Sequence, residues 1–158
     1  MFRFIEFEFD GRPEFIDRYF IFVIKIIYGE MHIDHIAIWT ENLENEKDFY
    51  LKYFECKANE KYINPVKQYS SYFLNFTDGS RIELMQRADI KEGRAGDTLG
   101  IAHIAFNAGS REKVDYLTGI FEKEGVTIVS RPRVTGDGYY ESVILDPENN
   151  VIEIICHI

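Results

Sequence analysis

Two histidine-then-glutamate pairs run through the chain in the same order and at nearly the same interval, and this repeat restricts the fold to one built from two similar halves. His35 and Glu83 stand 48 positions apart (83 − 35), and His103 and Glu153 stand 50 apart (153 − 103). Each lies in a short apolar, β-branched run: Ile33-Asp34-His35-Ile36-Ala37-Ile38, Arg81-Ile82-Glu83-Leu84-Met85, Ile101-Ala102-His103-Ile104-Ala105-Phe106 and Val151-Ile152-Glu153-Ile154-Ile155. Such runs predict strands. An imidazole or carboxylate inside an apolar strand is costly to bury unless it is paired, hydrogen-bonded or bound to a metal. A lone strand histidine is most often a hydrogen-bonded core residue. Four such side chains at symmetric positions point instead to a shared metal-binding role.

The offsets between the halves are 68 (103 − 35) and 70 (153 − 83), so they align with only small insertions, the mark of an internal duplication. In the first half, residues 42–55 predict a helix with Phe49, Tyr50, Tyr53 and Phe54 on one face. In the second, Ser110 is a candidate N-cap, Val114, Leu117 and Phe121 carry helical spacing, and Gly125 supplies the stop. Thr77-Asp78-Gly79-Ser80 and Asp146-Pro147-Glu148-Asn149-Asn150 predict chain reversals just before the two glutamate strands. Each half therefore reads β-α-β-β-β. Module one spans 31–90 and module two 98–158, joined by a charged linker over 87–99 that contains Gly93 and Gly96. Residues 1–30 form an N-terminal extension of different character, rich in phenylalanine among charges. Met31, directly ahead of the first repeat, is a candidate natural start.

At 158 residues the chain accommodates one domain or two small modules sharing a core, and its 46% hydrophobic and 28% charged residues fit a packed, soluble protein rather than a disordered one. A net charge of −9 without a basic, aromatic-interleaved cluster argues against a nucleic-acid partner. Cys56 and Cys156 show neither a disulfide framework nor thiolate zinc spacing. The apolar stretch 19–28 is broken by Lys25 and is shorter than the roughly 20 residues a membrane span needs. Acidic residues outnumber the arginines ahead of it, so no basic leader region precedes it and it does not read as a signal peptide. The expectation is a cytoplasmic protein with no membrane partner.

Neutral imidazoles and carboxylates suit one borderline divalent ion among nickel, zinc, cobalt, manganese and iron. A set of two histidines and two glutamates leaves positions open for water or substrate, which favours catalysis over a closed structural site.

The stretches Asp34-His35-Ile36-Ala37-Ile38 and Leu145-Asp146-Pro147-Glu148-Asn149-Asn150-Val151-Ile152-Glu153 carry a specific resemblance. From about Met31 to its end the chain resembles the vicinal oxygen chelate superfamily, which includes glyoxalase I, extradiol dioxygenases and bleomycin-resistance proteins. The resemblance implies an α+β fold of two tandem β-α-β-β-β modules forming a curved mixed sheet around a metal cleft, commonly in a homodimer. It implies metal ligands at His35, Glu83, His103 and Glu153. The metal-ligand pattern is most like that of glyoxalase I, which converts the hemithioacetal of methylglyoxal and a thiol into a lactoyl thioester through a metal-stabilised enediolate. On that pattern Glu153 is the candidate base and Glu83 its symmetric alternative. The two positions that contact glutathione in glyoxalase I, usually arginine and asparagine, are Trp39 and Arg87 here.

Since residues two apart on a strand face the same side, Trp39 accompanies His35, Met85 and Arg87 accompany Glu83, Asn107 accompanies His103, and His157 accompanies Glu153. These five are the expected substrate-binding walls. Arg131 and Arg133, ahead of a Gly136-Asp137-Gly138 bend, are the expected clamps of a mobile flap that holds an anionic substrate tail. Other readings within the superfamily are an epimerase, an extradiol-type dioxygenase using two histidines and one carboxylate, and a non-enzymatic drug-binding module that stacks its ligand on Trp39 and tyrosines.

Overall fold

Alternation in Ile36-Ala37-Ile38-Trp39 produces the first strand of the computed structural model, β1 (Ile36–Trp39), with its isoleucines turned inward and Ala37 and Trp39 exposed. The structure describes residues 32–91 and 100–158. The chain divides into two compact units, Met1–Asp34 and His35–Ile158, and the second carries both repeats. The extension 1–30 and most of the linker lie outside the described residues. After β1 come α1 (Leu43–Tyr53), β2 (Cys56–Ala58), β3 (Tyr62–Asn64), β4 (Tyr69–Phe76) and β5 (Arg81–Arg87). The second half follows with β6 (Ile104–Asn107), α2 (Arg111–Lys123), β7 (Ile128–Val134), β8 (Tyr139–Leu145) and β9 (Val151–His157).

The expected duplication is built into the register. β1 runs parallel to β5 with Ala37 opposite Glu83, and β6 runs parallel to β9 with Ala105 opposite Glu153. The remaining pairings are antiparallel, so each sheet is mixed. The expected α+β fold of two tandem modules is present, one mixed sheet to each module: β1-β5-β4-β2 with β3 on β4, and β6-β9-β8-β7. One detail differs from the sequence expectation, an additional short strand, β3, in module one. Each first strand finds its partner in the last strand of its own half, so backbone pairing is completed within each module.

Both helices start and stop for local reasons. Asn42 Oδ1 accepts a hydrogen bond from the Asn45 N–H at 3.1 Å, and Ser110 Oγ accepts one from the Lys113 N–H at 3.3 Å. α1 ends two residues before its expected limit, because Phe54 adopts an extended conformation that carries its ring into the core. α2 ends at Lys123, and Gly125 just beyond it, with a φ of +80°, admits a hydrogen bond from the Val126 N–H back to the Phe121 carbonyl at 2.9 Å. Replacing Ser110 with alanine is expected to lower stability by about 1 kcal/mol, with Ser110→Asp restoring it, as read by the midpoint of urea unfolding.

One core serves both modules. Leu43, Phe49 and Tyr50 of α1 and Val114 and Phe121 of α2 pack with Leu74, Ile82, Leu84, Ile144, Ile152 and Ile154 from the sheets. Aromatic pairs join the halves, with Phe54 and Phe106 rings 4.3 Å apart and Tyr53 and Phe121 rings 5.0 Å apart. A polar clasp joins them as well. Glu148 accepts hydrogen bonds from the Thr40 hydroxyl at 2.6 Å and from the Glu41 and Asn42 N–H groups at 3.0 Å. These contacts hold the start of α1 against the turn that launches β9.

Candidate metal centre

Each sheet buries one face under its helix and leaves the other open, and the four candidate ligands fall on the open faces. Ile82 and Leu84 are buried while Glu83 between them is not; Ile152 and Ile154 bracket Glu153 in the same way. The alternation seen in the sequence is therefore the alternation of core and cleft. His35 Nε2 lies 3.7 Å from Glu83 Oε2, with side chains 35% and 14% exposed. His103 Nε2 lies 3.3 Å from Glu153 Oε2, with side chains 45% and 19% exposed. The His35 ring also meets Phe73 edge-on at 5.1 Å, and Phe73 stands opposite Glu83 on the neighbouring strand.

The chain thus holds two His–Glu pairs, not one cluster of four. Among the described residues no group of three or more His, Cys, Asp and Glu side chains is placed to hold an ion. The physical reason lies in the packing: the two sheets contribute their helix-covered faces to one core, so their open faces lie on the far side of each sheet from it. The donor set still suits a divalent ion. Each pair joins an imidazole nitrogen to a carboxylate oxygen within 4 Å, and all four side chains are partly exposed, the nitrogen-and-oxygen donor types such an ion takes.

The second pair opens into a cleft of about 430 Å³ lined by His103, Glu153, Ile155, Arg133, Thr135, Tyr139 and Glu141, among others. Glu141 was not singled out from the sequence. It lies on β8, is 8% exposed, and accepts a hydrogen bond from Arg133 Nη2 at 3.2 Å. Burial, and then the nearby charge of Glu153, hold its carboxyl above the usual carboxylate range. The signal available in the sequence was an acidic residue inside an otherwise apolar strand, Tyr139-Tyr140-Glu141-Ser142-Val143-Ile144-Leu145.

The expected wall residues divide. Trp39 is 40% exposed, with the Arg87 guanidinium 5.1 Å from its ring centroid, and Met85 stands directly opposite it in the parallel register. The His157 ring lies 4.8 Å from that of the cleft residue Tyr139. Asn107 instead spends its side-chain oxygen on the turn into α2, accepting from the Gly109 N–H at 2.8 Å. The expected flap is a β-hairpin, β7 and β8, and only one of its two arginines reaches the cleft. Irregular register between Ser130 and Arg133 breaks the two-residue alternation. Arg133 turns to Glu141, while Arg131 forms a bidentate pair with Glu122 of α2. Arg131→Gln is expected to change unfolding free energy by less than about 0.5 kcal/mol, since both partners are well exposed. Arg133→Gln strips Glu141 of its charged partner and is expected to cost about 1–2 kcal/mol in the same urea titration.

No helix among the described residues is long and apolar enough to cross a membrane. Solved structures share the fold. A glyoxalase/bleomycin resistance protein/dioxygenase domain from Frankia sp. EAN1pec superposes with a TM-score of 0.71 at 15% identity, covering 82% of this chain and 99% of that one. A glyoxalase family protein from Enterococcus faecalis gives 0.66 at 22% identity, covering 78% and 96%. Glyoxalase I from Zea mays gives 0.64 at 22% identity, and there the match covers 78% of this chain but 44% of the maize one. No curated protein matches the chain. The family model for the glyoxalase/bleomycin resistance protein/dioxygenase superfamily matches residues 32–154, and the chain belongs to that superfamily.

Proposed function

We propose that the protein is a metal-dependent lyase or isomerase of the glyoxalase type, acting on a small substrate with vicinal oxygens such as a hemithioacetal. The observation that carries this reading is the repeated His–Glu pair, set at equivalent register on the open face of each sheet. A four-ligand centre forms when the open face of module one on one copy meets that of module two on a second, so the working unit is a homodimer. His35 and Glu83 of one copy and His103 and Glu153 of the other would then hold one divalent ion. When bound, that ion supplies positive charge against the negative charge that develops on the substrate oxygens. Glu153, opening into the cleft beside Arg133 and Tyr139, takes a proton from a substrate carbon and returns it to the adjacent one. Glu83 is its symmetric alternative. Arg133 holds Glu141 at the cleft wall and offers its remaining N–H groups to an anionic substrate end.

The test is thioester formation from methylglyoxal and a panel of thiols, using full-length protein stripped of metal and reloaded separately with nickel, cobalt, zinc and manganese. Turnover that appears only on reloading supports the assignment and ranks the thiols. Stoichiometric ion binding without turnover on any thiol overturns the reaction and redirects the search to epimerase and dioxygenase chemistry.

A further inference from the structure

We infer that Glu46 is a protonated latch between the two modules, a neutral carboxylic acid that donates to Asp146 and whose ionisation releases the start of α1 from the turn launching β9. The inference concerns this junction and stands whether or not the His–Glu faces hold an ion. Three acids meet here, and their hydrogen bonds assign their charges. Glu148 Oε1 accepts from the Thr40 hydroxyl and from the Glu41 and Asn42 N–H groups. Asp146 accepts from the Glu148 and Asn150 N–H groups on one oxygen and from the Tyr50 hydroxyl and the Asn150 amide on the other. Carboxyl groups supplied with donors in this way are held in the ionised form. Glu46 is the opposite case. It is 0% exposed, neither of its oxygens meets a donor, and the side chain it faces is Asp146, another acceptor. A proton on Glu46 turns that contact between two acceptors into a hydrogen bond.

The surroundings supply no compensating charge. Among the described residues, the charges that act on Glu46 are those of Asp146 and Glu148, both negative, and with burial they hold its carboxyl far above the usual carboxylate range. The adjoining Lys47 turns its ammonium to Glu44 and Asp48. Tyr50, one helical turn on, gives its hydroxyl to Asp146, and Cys56 of β2 donates its thiol to the Tyr50 carbonyl at 3.5 Å. Leu74, Ile82 and Leu84 of the sheet beneath α1 are apolar and buried. Ionised Glu46 therefore sets a third negative charge against two that are already fixed. The bonds that yield are those crossing between distant segments, from Thr40, Glu41 and Asn42 to Glu148 and from Tyr50 to Asp146. Those from the Glu148 and Asn150 N–H groups to Asp146 are internal to the turn. Since β9 begins at Val151 and carries Glu153, the latch ties the second His–Glu face to module one. It is closed at neutral pH and opens in alkali.

The test labels the full chain with ¹³C at glutamate Cδ and threonine Cγ2, carbons that do not exchange with alkaline solvent, and follows both by NMR from neutral pH upward. The expected outcome is a Glu46 carboxyl that is neutral at pH 7. As it ionises, the Glu148 Cδ and Thr40 methyl signals shift with the same midpoint, while the methyl of Thr118, buried on α2, stays in place. Glu46→Gln keeps a donor toward Asp146 without a titrating group, and in that variant the Glu148 and Thr40 signals are expected to hold still over the whole range. A Glu46 carboxyl already ionised at pH 7 overturns the inference, as does an ionisation that leaves Glu148 and Thr40 unmoved. A Thr118 signal that moves with the same midpoint reports unfolding of the whole protein and overturns it too, and so does an equal shift in Glu46→Gln. The signals are assigned in the parent chain, so its titration decides the matter even if the variant does not fold. Because neither ion nor turnover is involved, the result is independent of the thioester assay.

Discussion

Glu153→Gln and His103→Ala are each expected to weaken divalent-ion binding by roughly two orders of magnitude or more, a loss of about 3 kcal/mol at 1.4 kcal/mol per tenfold. Glutamine keeps the shape of the side chain and removes the charge, so any loss measures the carboxylate itself. Alanine at 103 removes the imidazole, 45% exposed, that stands 3.3 Å from Glu153. Glu83→Gln tests the symmetric pair. Calorimetric titration with zinc or nickel checks the affinity, and thermal unfolding supplies an independent reading. An ion at 100 times its dissociation constant stabilises the native state by about 2.7 kcal/mol, and the variants are expected to lose that increment while keeping the unfolding temperature of the ion-free protein. Unchanged ion affinity in Glu83→Gln and His103→Ala together removes the centre.

The second large effect belongs to Glu46, a residue with no place in the cleft. Its side chain is fully buried at 0% exposure, and neither carboxylate oxygen has a hydrogen-bond partner. Burial first, and then the neighbouring Asp146 and Glu148, push its pKa up to about 10. Asp146 is already engaged by the Tyr50 hydroxyl at 3.1 Å, the Asn150 amide at 2.8 Å and the Glu148 and Asn150 N–H groups. Unfolding exposes Glu46 to water, where it ionises near its ordinary value of 4.5. The folded state therefore binds a proton that the unfolded state releases throughout the interval between those values. Stability is greatest below the lower value and falls as pH rises, with a limiting slope of about 1.4 kcal/mol per pH unit. Glu46→Gln abolishes this dependence, and at pH 8 the variant is expected to be more stable than the parent by up to about 5 kcal/mol, the limiting slope taken over the interval from pH 4.5. The two proteins converge toward pH 4.5. Urea unfolding at half-unit pH steps decides the matter, and parallel curves for the two proteins contradict the assignment.

What the sequence by itself determined is the part governed by local rules. The strand period of two placed His35, Glu83, His103 and Glu153 on one side of their strands, with Ile82, Leu84, Ile152 and Ile154 on the other. Side-chain capping marked Ser110, and the turns preceding β5 and β9 were legible because Gly79 and Asn149 take up positive φ there, at 91° and 64°. Internal repetition made the two-module fold readable, since each half specifies the same element order. Only the tertiary structure decided the rest, because it depends on which distant segments meet. The irregular register between β7 and β8 separated Arg131 from Arg133, which the sequence reading had made joint clamps of one flap. The docking of α1 on the turn before β9, some 100 residues away in sequence, buried Glu46 against Asp146. The closure of each parallel pair within its own module gave each half its own sheet, and the packing of those sheets held the His–Glu pairs apart. Alternation names the face on which a side chain stands. Which faces come together is set by the packing of a shared core, where burial of aromatic and aliphatic surface outweighs any local preference.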